Sequence, residues 1–229
     1  MKNIFTFYIL LLLGFFLNAQ NLKSPDNNLD LNFSIDEKGR AFYSLNFHDK
    51  PVILNSGLGF MLKDNVEWMK IDTLDMMNNF KILNVTFDSV DEYWNPVWGE
   101  ESEIRNNYNE MFVELQQIES ERKVNIRFRL FDDSLGFRYE FPLQEKLGSF
   151  IIIDEKTEFA MAGDHTAMWI PGDYDTQEYN YTTSKLSEIE QKSIEFKEEN
   201  VSMYRISNWA VQTASVSYTH LTLPTSTHG

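Results

Sequence analysis

LDLNFSIDEKGRAFYSLNF, residues 29–47, decides the fold. Leu29, Leu31, Phe33 and Ile35 alternate with Asp30, Asn32 and Ser34. A period of two puts the apolar side chains on one face of an extended strand and the polar ones on the other. Asp36–Arg40 breaks the rhythm with turn-forming residues, Gly39 among them, and Ala41, Tyr43, Leu45 and Phe47 restore it. Two half-buried strands across a short turn make a β-hairpin.

The same period recurs outward from this hairpin, at Phe80–Phe87, Met111–Ile118, Val124–Leu130 and Phe137–Phe141, with shorter strands predicted at Phe150–Asp154 and Thr157–Met161. Asp132–Gly136 is a turn. Arg127, Arg129, Arg138 and Glu140 fall on the outward face beside it, where opposite charges on neighbouring strands can pair. Many short strands at this spacing predict an all-β antiparallel sandwich. One helix is expected, in the charged segment Ser184–Asn200, with Ile189 and Phe196 on its inner face. There is no internal repeat and no Gly/Ser linker.

The chain ends read differently from its middle. A basic Met1–Lys2–Asn3, an apolar run from Ile4 to Leu17 and a small residue at Ala19 have the order of a secretory signal peptide, residues 1–19. The run is shorter than the roughly 20 residues that span a bilayer, so no membrane association is expected after cleavage. The domain then occupies residues 20–214. Residues 215–229, SVSYTHLTLPTSTHG, lack its charge and strand rhythm and read as a non-native or disordered tail.

Cysteine is absent, so an exported domain must be stabilised by burial, for which 18 Phe, 10 Tyr and 5 Trp supply the area. The net charge of −15 excludes nucleic acid as a partner, because phosphate recognition needs clustered cations.

Two stretches are neither plain strand nor plain turn. In YWNPVWGE, residues 93–100, Trp94 and Trp98 flank Pro96 beside Glu100, Glu101 and Glu103. Two indoles with carboxylates at their edge suit a sugar-binding platform, with Trp94, Trp98 and Glu100 as the candidate contacts. The same residues also suit a loop that plugs the sandwich with its aromatics. The second stretch runs from Gly163–Asp164–His165 through Trp169 to Asp173, Asp175 and Glu178. Its carboxylates are the hard oxygen ligands that calcium prefers. As a self-contained EF-hand loop it fails, since Glu178 stands where Gly is required and Ser184 where the bidentate Glu belongs. His165 is read as a structural hydrogen-bonding residue, and no nucleophile, phosphate loop or HExxH motif is present.

Four segments carry a resemblance. LKSPDNNLDLNFSIDEKGR, YWNPVWGEESEIRNNYNE, IRFRLFDDSLGFRYEFP and GDHTAMWIPGDYDTQEYNYTTSKLSEI resemble, in order, the N-terminal domain of glycoside hydrolase family 97, over roughly Leu22 to Ala214. The resemblance implies a β-super-sandwich of the galactose-mutarotase-like type, followed in the family by a catalytic (β/α)8 barrel and a small C-terminal β-domain. It further implies a periplasmic, calcium-dependent enzyme acting on α-linked oligosaccharides, as α-glucosidase or α-galactosidase. The sandwich packs on the barrel and lends one carboxylate to the calcium site, which matches Glu178 here. Glycoside hydrolysis needs two carboxylates across the scissile bond, and in the family these lie in the barrel, so no catalytic residue is assigned to this chain. It is expected to be a fragment truncated before the barrel and inactive alone; the alternative is a free-standing glycan-binding sandwich.

Overall fold

The computed structural model describes residues 19–64, 73–171, 180–199 and 211–216. Its strands, in chain order, are β1 Gln20–Lys23, β2 Leu29–Ile35, β3 Ala41–Phe47, β4 Lys50–Leu58, β5 Phe60–Asp64, β6 Thr73–Met76 and β7 Phe80–Trp94. There follow β8 Ile104–Gln117, β9 Lys123–Leu130, β10 Leu135–Glu140, β11 Phe150–Glu155, β12 Thr166–Pro171, β13 Thr182–Lys185 and β14 Val211–Val216. A 3-10 turn at Leu186–Glu188 leads into one helix, α1, at Ile189–Glu199.

The predicted hairpin forms as β2–β3, with Leu31 opposite Leu45 and Phe33 opposite Tyr43. Asp36 builds its turn: one carboxylate oxygen accepts the amides of Lys38 and Arg40, the other the Arg40 guanidinium. Those bonds hold the Asp36 carboxyl below its usual range against the opposing effect of partial burial. Gly39 sits at φ +70°, and a Cβ there would lie 2.4 Å from the Phe80 nitrogen. The Asn79 and Phe80 amides donate to the carbonyls of Lys38 and Gly39 in this close approach. Both the backbone angle and the space require glycine.

Two four-stranded antiparallel sheets, β1-β2-β3-β4 and β10-β9-β8-β7, face each other. Their inward residues interdigitate as in any sandwich. Phe33 meets Phe128 at 5.8 Å between ring centroids, and Tyr43 meets Phe137 at 5.4 Å. Leu31, Phe33, Leu45, Met111, Val113 and Phe128 are fully buried. The Tyr43 hydroxyl satisfies itself on the Glu158 carbonyl, and burial pushes its pKa up. A third sheet, β11-β5-β6, continues the core through Phe60, Leu62 and Met76, with Phe60 edge-on to Tyr139. The fold is the all-β antiparallel sandwich that the alternation predicts. A fourth sheet, β13-β12-β14, buries Ala167, Trp169 and Ile170 apart from the main cluster.

Three expectations change. Thr157–Met161 is not a strand. It runs beside β4, but Ser56 Oγ takes the Ala160 amide and the Glu158 carboxylate takes the Gly57 amide. Side chains thereby replace part of a regular ladder, leaving only an isolated bridge at Met161. The β7–β8 pair is far longer than predicted, because pairing continues to Trp94 opposite Ile104 after the apolar alternation stops. The helix begins at Ile189 rather than near Ser184, because Ser184 is a buried residue of β13. Ile189 is half-buried as expected, whereas the Phe196 side chain lies outside the described residues. Ser215 and Val216, assigned above to the tail, pair in β14 with Ala167 and Thr166. The signal-peptide segment lies outside the described residues, among which no helix is long and apolar enough to cross a membrane.

Candidate functional site

The outer half of β7–β8 positions the first candidate set. Cross-strand side chains hold this arm in place of a core. Arg105 grips Asp91 through two bonds of 2.8 Å, and Asn106 donates to Glu92 at 2.9 Å. The Arg105 bonds lower the Asp91 pKa below the ordinary carboxylate value. Beyond them the chain turns at Asn95–Glu103, where Asn95 Nδ2 donates to the Ser102 carbonyl at 2.7 Å.

Here the plug reading fails. Trp98 is 88% exposed, Val97 fully so, and Trp94 is half-exposed, so the aromatics lie outside the sandwich. The reason is geometric: the arm reaches past the rim of the opposing sheet, leaving nothing for these rings to pack into. Trp94 faces the side of the arm that carries Val90 and Tyr108, opposite Ile104, while Tyr93 lies on the other side opposite Arg105. Glu100 is exposed in the turn next to Trp98. The tip therefore offers two accessible indoles and an accessible carboxylate, the chemistry of a sugar edge-and-face contact.

Asp173, Asp175 and Glu178, the candidate calcium carboxylates, lie outside the described residues. Their flanks are built for structure. Trp169 is fully buried and donates its indole N–H to Ser184 Oγ at 3.0 Å, which passes a bond to the Lys185 carbonyl. Ser184 thus secures an indole. Asp164 accepts both the amide and the hydroxyl of Ser187 at 3.0 Å, which holds its pKa down and ties this stretch to the start of the helix. His165 packs its ring against Gly163, and its Nε2 is buried without a hydrogen-bond partner, so the expected structural bond is not made by that atom. Among the described residues no three His, Asp or Glu side chains converge to hold a metal ion. The described part of the domain therefore does not make a calcium shell by itself.

The outward charges on β8–β10 form one connected network. Arg127 and Arg138 stand directly opposite each other, an unfavourable pairing relieved by Glu140, which accepts from both at 2.7 and 2.8 Å. Arg127 also pairs with Glu110, and Arg129 Nε reaches Glu110 at 2.9 Å. The guanidinium groups lie over rings, Arg127 over Phe112 at 4.3 Å and Arg129 over Tyr108 at 4.5 Å. Sequence reading missed Glu110, although its place between inward Asn109 and Met111 on an alternating strand marks it as outward.

The comparisons with known proteins agree on one family. The family model described as "Glycosyl-hydrolase 97 N-terminal" matches residues 22–222. A glycoside hydrolase family 97 enzyme from Pseudoalteromonas sp. strain K8, solved in complex with acarbose and, as a Glu-to-Gln variant, with panose, is 35% identical with a TM-score of 0.64. That match covers 72% of this chain and 24% of the enzyme. The "Retaining alpha-galactosidase" of Bacteroides thetaiotaomicron is 25% identical over 187 residues, 76% of this chain and 25% of that protein. The crystal structure of a β-arabinopyranosidase shares the fold at 21% identity and a TM-score of 0.59. The chain thus spans about a quarter of the length of these relatives. It belongs to glycoside hydrolase family 97, of which residues 22–222 are the N-terminal domain.

Proposed function

We propose that this domain serves an exported, exo-acting α-glycosidase as the β-sandwich on which its catalytic barrel packs. Family membership across residues 22–222 is the observation that carries the reading. In this role Trp94, Trp98 and Glu100 meet an α-linked oligosaccharide at the edge of a cleft completed by the barrel, and Glu178 supplies one ligand to a calcium ion held mainly by barrel carboxylates. The exposed, braced arm supports the first assignment: rigid aromatics kept in water are what a shared cleft requires. The relatives' ligands and names, panose, acarbose and α-galactosidase, support α-linked gluco- or galacto-configured substrates. The signal-peptide pattern at residues 1–19 supports the periplasm as the site of action.

The chemistry divides accordingly. A general acid and a base or nucleophile each contribute typically 10²–10⁴-fold, and this domain contributes position alone. The chain should therefore hydrolyse neither 4-nitrophenyl α-glucoside nor 4-nitrophenyl α-galactoside. In an enzyme containing the domain, Glu178→Ala should cost calcium affinity and activity together. Turnover by the purified chain that disappears in Glu178→Gln would overturn the reading. The 88% exposure of Trp98 also favours a second one, a free-standing glycan-binding module. Submicromolar binding of maltooligosaccharides by the chain alone would select it.

A further inference from the structure

The flank of the sandwich carries a site distinct from the arm tip. The β1 strand lies against β8, β2 against β9 and β3 against β10, as the Lys23–Asn109, Phe33–Phe128 and Tyr43–Phe137 contacts show. The β7 strand consequently reaches past the free edge of β1. On its inner face Val85 and Phe87 lie opposite Val113 and Met111, both fully buried, yet Phe87 itself is 54% exposed. One step further along the same face the apolar residues give way to Ser89 opposite Asn109. A groove of about 600 Å³ opens here, lined by residues 21–23 of β1, by Phe87, Asp88 and Ser89 of β7, and by Asn109 of β8.

An added β-strand is the obvious occupant of a gap beside two sheet edges, but both edges are closed. Asn109 Nδ2 donates to the Lys23 carbonyl at 2.8 Å, and Asp88 accepts the Ser89 amide at 2.8 Å. Backbone groups satisfied by side chains offer no ladder to a strand. Ser89 Oγ in turn donates to Asn109 Oδ1 at 2.7 Å, so the polar wall is held in one arrangement. What remains is a half-exposed ring beside a fixed wall of amide, hydroxyl and carboxylate groups. That chemistry suits a ligand with an apolar face and hydroxyls around its edge, a pyranose. The net charge of −15 disfavours uronates and sulfated sugars.

We propose that this flank groove is a binding site for neutral hexopyranose oligosaccharides, with Phe87 as the stacking surface and Asp88 as a hydroxyl acceptor, operating without the catalytic domain. It rests on the reading of this domain as glycan-facing but not on the arm. The test is calorimetric titration of the chain with maltoheptaose and, separately, stachyose, on wild type and on Phe87→Ala, Asp88→Ala and Trp98→Ala. Phe87 is exposed enough for its truncation to leave the fold intact, and Asp88→Ala provides an independent surface variant. Binding should weaken at least about tenfold in Phe87→Ala, which is 1.4 kcal/mol. It should weaken in Asp88→Ala and be unchanged in Trp98→Ala. No binding of either sugar by wild type, or full binding by Phe87→Ala, overturns the groove. Loss in Trp98→Ala with Phe87→Ala unaffected also overturns it, while strengthening the arm as the sugar contact.

Discussion

The β2–β3 and β7–β8 hairpins are built from the same antiparallel ladder and meet opposite fates. In β2–β3 every second residue is sealed under the opposing sheet, Leu31, Phe33 and Leu45 at zero exposure. In the outer half of β7–β8 the ladder is equally regular, from Asp88 opposite Glu110 to Trp94 opposite Ile104, yet large rings stand in water. A ladder alone contributes modestly, since each bond replaces one to water. Burial comes from a second sheet, and where that sheet stops the strand must be held by cross-strand pairs such as Arg105–Asp91. One hairpin is for stability, the other for reach.

The contrast breaks most sharply under truncation of the core. Phe128→Ala removes a fully buried ring contacting Phe33, Tyr43 and Phe137 and should cost about 3–5 kcal/mol in urea unfolding. Trp98→Ala should stay within about 0.5 kcal/mol. Comparable losses would mean that the arm packs on the core after all.

Glycines sharpen the comparison next. Gly39→Ala meets both a left-handed backbone and the Phe80 backbone at 2.4 Å, and should cost at least about 2 kcal/mol. Gly99→Ala in the arm, at φ +138° but with nothing within 4 Å, carries backbone strain alone. It should cost less in the same measurement.

Acid probes the strand faces. Bonds from Arg127 hold the Glu140 pKa below its unfolded value. That contribution is complete above the unfolded carboxylate pKa of about 4.3 and is lost as pH falls through the folded value. Urea midpoints measured from pH 7 to 3 should therefore be level first and then fall. Arg127→Met should weaken the acid-side fall, and an unchanged profile would remove Glu140 from the account. The smallest effect is expected from calcium. A single carboxylate from Glu178 should bind no better than about millimolar, so 1 mM calcium adds about 0.4 kcal/mol and raises Tm by about 1 °C. A rise of many degrees would instead require a complete site within this chain.

How much was legible follows the same division. The core hairpin was readable because one face of each strand is buried, which forces the period of two on its residues. The arm was half-legible: Phe80–Phe87 alternates, but past Asp88 both faces meet water and no hydrophobic pattern marks the strand. Trp94, Trp98 and Glu100 were found by residue type, while their exposure could not be. Phe87 was taken as an ordinary inward strand residue. Nothing local in its neighbourhood says that the opposing sheet ends before covering it.

By itself the sequence determined the fold class, the β2–β3 register and the turn at Asp36–Arg40, because periodicity and turn chemistry act over a few neighbouring residues. Its four ordered motifs also marked the family. Only the tertiary structure decided which alternating faces become core, why Gly39 must be glycine, and where the flank groove opens. Those depend on where one sheet ends above another, which is set by contacts between residues tens of positions apart.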